Sequence, residues 1–245
     1  MSVKLGGNIV VTGTNRGVGL ELVRQLAEKT GEDAHIYVCC REPESPRAEV
    51  KHHHVHLDSI SAAVQAVSQQ IGSDGLNLLI NNAAINKPLQ PATLLDTIKS
   101  NMMEVFETNV AGPFLLSKVG LSYVHFFLCT STGNAFSRSG KMSCPKWRSL
   151  SILGSCSRMR EKWSGRSTGR LAALNMLTRC QAEDFKSHNI LVMAIHPGLV
   201  RTDMGGEMAP LTPEDSVVGM LGVMSTLSRK HTGTLLDWEG NTIPW

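Results

Sequence analysis

A chain of 245 residues with 42% apolar side chains is long enough for one α/β domain with a full core, and it holds no apolar run that could span a bilayer. The first strand pattern begins within eight residues of Met1, which leaves no room for a targeting segment and gives the expectation of a soluble, cytoplasmic protein. The net charge of +3 arises in residues 121–170, where nine Lys and Arg stand against one acid, Glu161, in a serine-rich stretch without clear period or a stacking-aromatic pattern, so nucleic acid is a poor candidate partner.

The apolar run Ile9 to Val11 breaks into the glycine-punctuated turn Gly13-Thr-Asn-Arg-Gly-Val-Gly19, and then into the amphipathic run Leu20, Leu22, Val23, Leu26, Ala27. A buried strand here delivers the chain to a helix N-terminus. Gly13, Gly17 and Gly19 let the backbone bend and approach closely, and the first free N–H groups together with Asn15, Arg16 and Val18 face an anion, most simply a phosphate. Ala34 to Cys40 reads as a second buried strand that ends on Arg41. In dinucleotide folds a basic residue at this strand end accommodates the 2′-phosphate of NADP, so Arg41, with Arg16, points to NADPH.

The connection from Glu42 to Val50 is short and broken by proline. His52 to Leu57 forms the expected third strand, with Asp58 after it, and Ile60 to Ile71 an amphipathic helix capped by Asp58-Ser59. His52, His54 and His56 share a strand face, but no distant carboxylate or cysteine cluster joins them, so no metal centre is assigned. The six cysteines (Cys39, Cys40, Cys129, Cys144, Cys156, Cys180) lack metal or disulfide spacing and read as reduced, buried thiols. Leu76 to Ile80 is the fourth strand, running into Asn81-Asn82-Ala83-Ala84, whose small residues let the chain pass close to a ligand and whose Asn side chains tie the strand end to the central sheet. A long helix over Ser100 to Val119 carries Asn109 within a stripe of Val105, Phe106, Val110 and Phe114, which places that face inside. Leu171 to Lys186 is a further helix, Ile190 to Ile195 a strand, and His196-Pro-Gly-Leu-Val-Arg-Thr-Asp-Met the loop that follows.

The spacing TGxxxGxG, the tetrapeptide Asn81-Asn-Ala-Ala84 and the loop Pro197-Gly-Leu-Val-Arg-Thr202 together resemble the short-chain dehydrogenase/reductase family. The tail from Gly233 to Trp245 resembles the C-terminal hairpin of the sniffer or C-factor-like carbonyl reductases within it. The resemblance covers residues 5–118 and 171–245, with a patch at 151–155. It implies a single-domain α/β fold over residues 1–245, a Rossmann-type doubly wound parallel sheet that binds NADPH. Residues 204–245 form the substrate lid, Met204 to Leu211, and the hairpin. By the same resemblance Asp58 holds the adenine amino group, Asn82, Ala83 and Ala84 line the ribose, and the Pro197-Gly198 loop brings the Val200 amide to the nicotinamide carboxamide and the Thr202 hydroxyl to the same group or the pyrophosphate. Asn109 binds a relay water, and Ser151, in Ser-Ile-Leu-Gly-Ser, polarises the carbonyl. The implied substrate is a small hydrophobic ketone, aldehyde or quinone, and members of the family commonly pair as dimers or tetramers.

Residues 119–170 depart from the family pattern. Carbonyl reduction needs a proton for the developing alkoxide, which the family takes from a Tyr whose pKa a Lys four residues on lowers. Counting on from Ser151, these positions hold Ser167 and Leu171, and neither Tyr37 nor Tyr123 has a Lys four residues later. Two accounts stand side by side. One is an NADPH-binding pseudoenzyme or regulatory protein; the other is a segment read out of frame, since codons for Ser167 to Leu171, shifted by two bases, can spell Tyr-Arg-Ala-Ser and the start of a Lys codon.

Overall fold

The computed structural model describes residues 5–40, 53–54, 57–86, 98–120, 148–152 and 165–244. Within them the chain runs through β1 (Gly7–Thr12), α1 (Gly17–Thr30), β2 (Ala34–Cys40), β3 (His53–His54), α2 (Leu57–Ile71), β4 (Leu78–Asn81) and α3 (Lys99–Phe106). After a π-helical turn, Glu107–Ala111, the α3 helix resumes over residues 112–120. Then follow β5 (Arg148–Ile152), α4 (Gly165–Asp184), β6 (Leu191–His196), α5 (Pro213–Thr226), β7 (Leu235–Asp237) and β8 (Thr242–Ile243).

The strands form one sheet in the order β3-β2-β1-β4-β5-β6-β7-β8, and every pairing is parallel except β7 with β8. Alternation along the strands explains why the sheet is covered on both faces. Ile9 and Val11 of β1, Ile80 of β4 and Met193 and Ile195 of β6 meet Leu22 and Leu26 of α1 and Val217, Met220, Leu221 and Met224 of α5. Val10, Leu79 and Val192, one residue out of phase, meet Val67 and Ile71 of α2 and Ala182 of α4 on the other face. Each fully buried Leu or Ile in these layers contributes roughly 1.5–3 kcal/mol from burial. The winding reverses between β1 and β4, which opens a crevice at the carboxyl ends of the strands. This is the doubly wound α/β sheet expected from the sequence. Among the described residues, no helix is long and apolar enough to cross a membrane.

Several boundaries differ from the sequence expectation. Among the described residues the third strand is His53–His54, and α2 begins at Leu57, so position 58 falls in its first turn. The fourth strand begins at Leu78 rather than Leu76 and includes Asn81. The Asn77 side chain accepts from the Asn8 N–H at 2.8 Å, and this side-chain staple replaces a ladder bond at the strand entry. The helix expected over Leu171 to Lys186 spans Gly165–Asp184, with Lys186 in a separate 3₁₀ turn, and the strand expected over Ile190 to Ile195 is Leu191–His196. Phe106 and Phe114 are exposed at 46% and 43%, whereas Val105 and Val110 are buried. The π turn accounts for this, because one extra residue per turn breaks the 3.6-residue stripe and brings positions 105 and 110 onto the same face. Cys180 is exposed rather than buried, while Cys39 and Cys40 are buried. Desolvation first, then the neighbouring Cys40, pushes the Cys39 thiol up to about 12.

Candidate cofactor and active site

Three strand ends meet at one corner. The turn after β1 is held by its own backbone, with Gly13 N–H donating to Cys39 O at 2.8 Å. Gly13 lies at φ +69°, and a Cβ there would stand 2.7 Å from Ala83 Cα, so only glycine allows the turn to pass this close to the loop after β4. A Cβ on buried Gly19 would collide with the carbonyl oxygen of Gly13. The loop after β4 is tied to the same turn: Asn82 Nδ2 donates to Thr12 O at 2.9 Å and Gly13 O at 3.1 Å. Thr12 Oγ1 accepts from Asn82 N and Ala83 N, each at 3.0 Å. Ala84 is half-buried next in line.

The N-terminus of α1 opens onto this corner. Its N-cap, Arg16, gives no side-chain cap and there is no acid in the first turn, so the positive end of the helix is left for an anion. Gly17, at φ +55°, faces the Thr202 methyl, and the Arg16 guanidinium pairs with Asp203 at 2.6 Å, both side chains largely exposed. Asn15 is half-buried in the turn and Val18 packs against the core. The β1–α1 turn and the loop after β6 thus face each other.

That second loop is firmly built. Val200 is fully buried and bridges to Leu211, Ser216 Oγ donates to Pro197 O at 2.6 Å, and Thr202 Oγ1 accepts from Gly205 N at 3.2 Å. Gly198, at φ +82°, sits against Leu211 and Trp238 and donates its N–H to His196 Nδ1 at 3.0 Å. Between the loop's two ends Ala209 is buried and Met208 is fully open to solvent, at 96%.

The residues expected to act on a substrate come from the π turn, β5 and the start of α4. Asn109 falls in the middle of the π turn, and its amide grips the backbone of Ile85: Ile85 N donates to Oδ1 and Nδ2 donates to Ile85 O, both at 2.9 Å. Ser151 stands on β5 in register with Asn81 of β4 and Ala194 of β6. Positions 167 and 171 fall in the first two turns of α4, and 58 in the first turn of α2. Arg41 lies outside the described residues.

No role was assigned from the sequence to His196 or Asp203, and the tie to the sheet expected of the Asn81 side chain is made by Asn82 instead. Among the described residues Asn81 is buried with both amide atoms unpartnered, His196 is buried with Nε2 unpartnered, and Asp203 answers Arg16 across the crevice. A polar residue closing an apolar strand, as Asn81 and His196 each do, is the signal that marks the first two.

The comparisons agree with this architecture. The short chain dehydrogenase family model matches residues 7–135. A carbonyl reductase from chicken fatty liver, solved with NADPH bound, is 32% identical, with a TM-score of 0.82 over 98% of this chain and 100% of that one. The carbonyl reductase Sniffer of D. melanogaster is 24% identical, with a TM-score of 0.81 over 99% of this chain and 100% of that one, a likeness of fold. C-signal of Myxococcus xanthus is 28% identical over 184 residues, 74% of this chain and 100% of that protein. The chain belongs to the short-chain dehydrogenase family, among its oxidoreductases of the carbonyl reductase type.

Proposed function

We infer that the protein is an NADPH-dependent carbonyl reductase, transferring hydride to a small hydrophobic ketone, aldehyde or quinone. The observation that carries this reading is the close approach of Gly13 and Gly19 to Asn82 and Ala83 beside the uncapped start of α1. A cradle that any Cβ would fill, at a helix N-terminus free of acids, suits a pyrophosphate. Gly13, Asn15, Gly17, Val18 and Gly19 hold the pyrophosphate, Arg16 and Arg41 the 2′-phosphate, and Asp58 the adenine. Asn82, Ala83 and Ala84 line the ribose, while Pro197, Gly198, Val200 and Thr202 fix the carboxamide. When bound, the dihydronicotinamide supplies a hydride. Ser151 orients the carbonyl oxygen, Asn109 holds the relay water, and Met204 to Leu211 cover the substrate.

A second reading has its own support. Ser167 and Leu171 occupy the α4 positions where the family carries its Tyr and Lys, and neither can deliver a proton as that pair does. On this reading the chain binds NADP(H) without turnover and acts through interaction or regulation. NADPH fluorescence and menadione-dependent NADPH oxidation, measured on one sample, separate the two. Binding with turnover supports the reductase, binding alone supports the silent protein, and absence of binding contradicts both.

A further inference from the structure

His196 is the last residue of β6 and the first of the loop that carries Pro197 and Gly198. It is 7% exposed, and its ring orientation is set from one side, by the Gly198 N–H donating to Nδ1 at 3.0 Å. With Nδ1 accepting, the neutral ring carries its proton on Nε2, and that N–H has no partner among the described residues. Its neighbours in the loop and on β7 are satisfied: Pro197 O accepts from Ser216, while the Asp237 carboxylate accepts from Glu239 N, Asn241 N and Asn241 Nδ2. The unpaired donor is therefore not slack in a loosely bonded loop. Burial favours the neutral ring over the imidazolium, against a smaller opposing pull from Asp237.

The position of the ring follows from packing. Ala182 of α4 packs beside Ile190 and Val192, and Leu174 beside Ala194, so α4 runs antiparallel to β6. His196 lies two residues beyond Ala194 on the same face of the sheet, about 7 Å further toward the carboxyl end. On α4 that rise corresponds to about one turn before Leu174. His196 is thus level with the stretch of α4 around Leu171, and one pleat above the row that contains Ser151 and Asn81.

We propose that His196 Nε2–H is a hydrogen-bond donor to the carbonyl oxygen of the substrate, aldehyde, ketone or quinone, and so a catalytic residue of this chain. A neutral imidazole N–H can polarise a carbonyl without giving up its proton. As hydride adds to the carbonyl carbon, the C=O π pair moves to oxygen, Nε2–H stabilises the oxyanion, and water supplies the proton that completes the alcohol. The inference rests on the reductase reading.

The test uses the full chain saturated with NADP, which cannot reduce a quinone, and menadione as the probe. Tryptophan quenching reports menadione binding, and the ¹H–¹⁵N signal of His196 Nε2–H, assigned by its loss in His196→Gln, reports contact in the wild-type protein. Menadione is expected to shift that signal. His196→Leu is expected to weaken menadione binding about tenfold, while His196→Gln, which keeps an N–H donor, stays within about threefold of wild type. Menadione affinity is compared with each variant saturated in NADP, because His196→Leu also removes the acceptor of the Gly198 N–H. An Nε2–H signal unmoved by saturating menadione, a wild-type protein that ignores menadione, or equal binding by Leu and Gln variants would overturn the proposal. Failure of NADP itself to bind would instead refute the reductase reading, and the proposal would fall with it.

Discussion

The corner formed by β1, β4 and β6 and the face formed by β5 and α4 are both strand ends of one sheet, yet they are equipped in different ways. The corner works almost entirely through backbone: glycines that leave room, N–H groups at a helix start, and the Asn82 and Thr12 bonds that lock two loops together. The α4 face depends on the identity of individual side chains, and on the second reading proposed above Ser167 and Leu171 stand where the family carries its acid and its ammonium. A backbone site survives wherever its glycines and small residues do. A proton-delivering site, by contrast, would be lost by changing two side chains on a helix that itself stays in place.

The largest effect should come from refitting the α4 face. Ser167→Tyr with Leu171→Lys is expected to raise menadione-dependent NADPH oxidation by roughly a hundredfold or more, the range general acid catalysis supplies. An unchanged rate would show that the difference between the two regions lies elsewhere. On the corner side, Leu22 of α1 is fully buried under β1 and β4. Leu22→Ala should cost about 2–5 kcal/mol in urea unfolding, because the cavity cannot collapse within a close-packed sheet. Gly19→Val should weaken NADPH binding by roughly tenfold to a hundredfold while leaving the sheet folded by circular dichroism, since overpacking costs about 1–3 kcal/mol at the point of contact. Equal binding would mean that the close approach to Gly13 serves packing alone.

A smaller effect belongs to His196, at the boundary of the two regions. Desolvation holds its folded pKa below the ordinary 6.5, with Asp237 opposing. The unfolded chain then takes up a proton that the folded chain refuses. The stabilisation is complete above a pH of about 6.5 and declines as pH falls toward the lower folded value. Thermal melts at pH 7.5 and 5.5 should show a steeper loss for the wild type than for His196→Gln.

The corner was legible in the sequence because its requirements are stereochemical. Glycine spacing, the Asn81 to Ala84 run and the Pro197 to Thr202 loop each announce a backbone geometry, and the three meet as expected. What depended on tertiary context was less legible. The π turn at Asn109 follows from no propensity, and it turned Phe106 and Phe114 outward against a helical stripe that read correctly by period. Asn77 shortened β4 by a side-chain bond to a residue 69 positions away. His196 looked like an ordinary member of a loop motif until its buried, unpaired Nε2 was seen.

Calorimetric titration of NADP into the purified chain, beside Gly19→Val, tests the corner most directly. Saturable binding at one site per chain, weaker in the variant and weaker for NAD than for NADP, is the predicted result. A wild-type chain that takes up neither nucleotide would contradict it, whatever stands on α4.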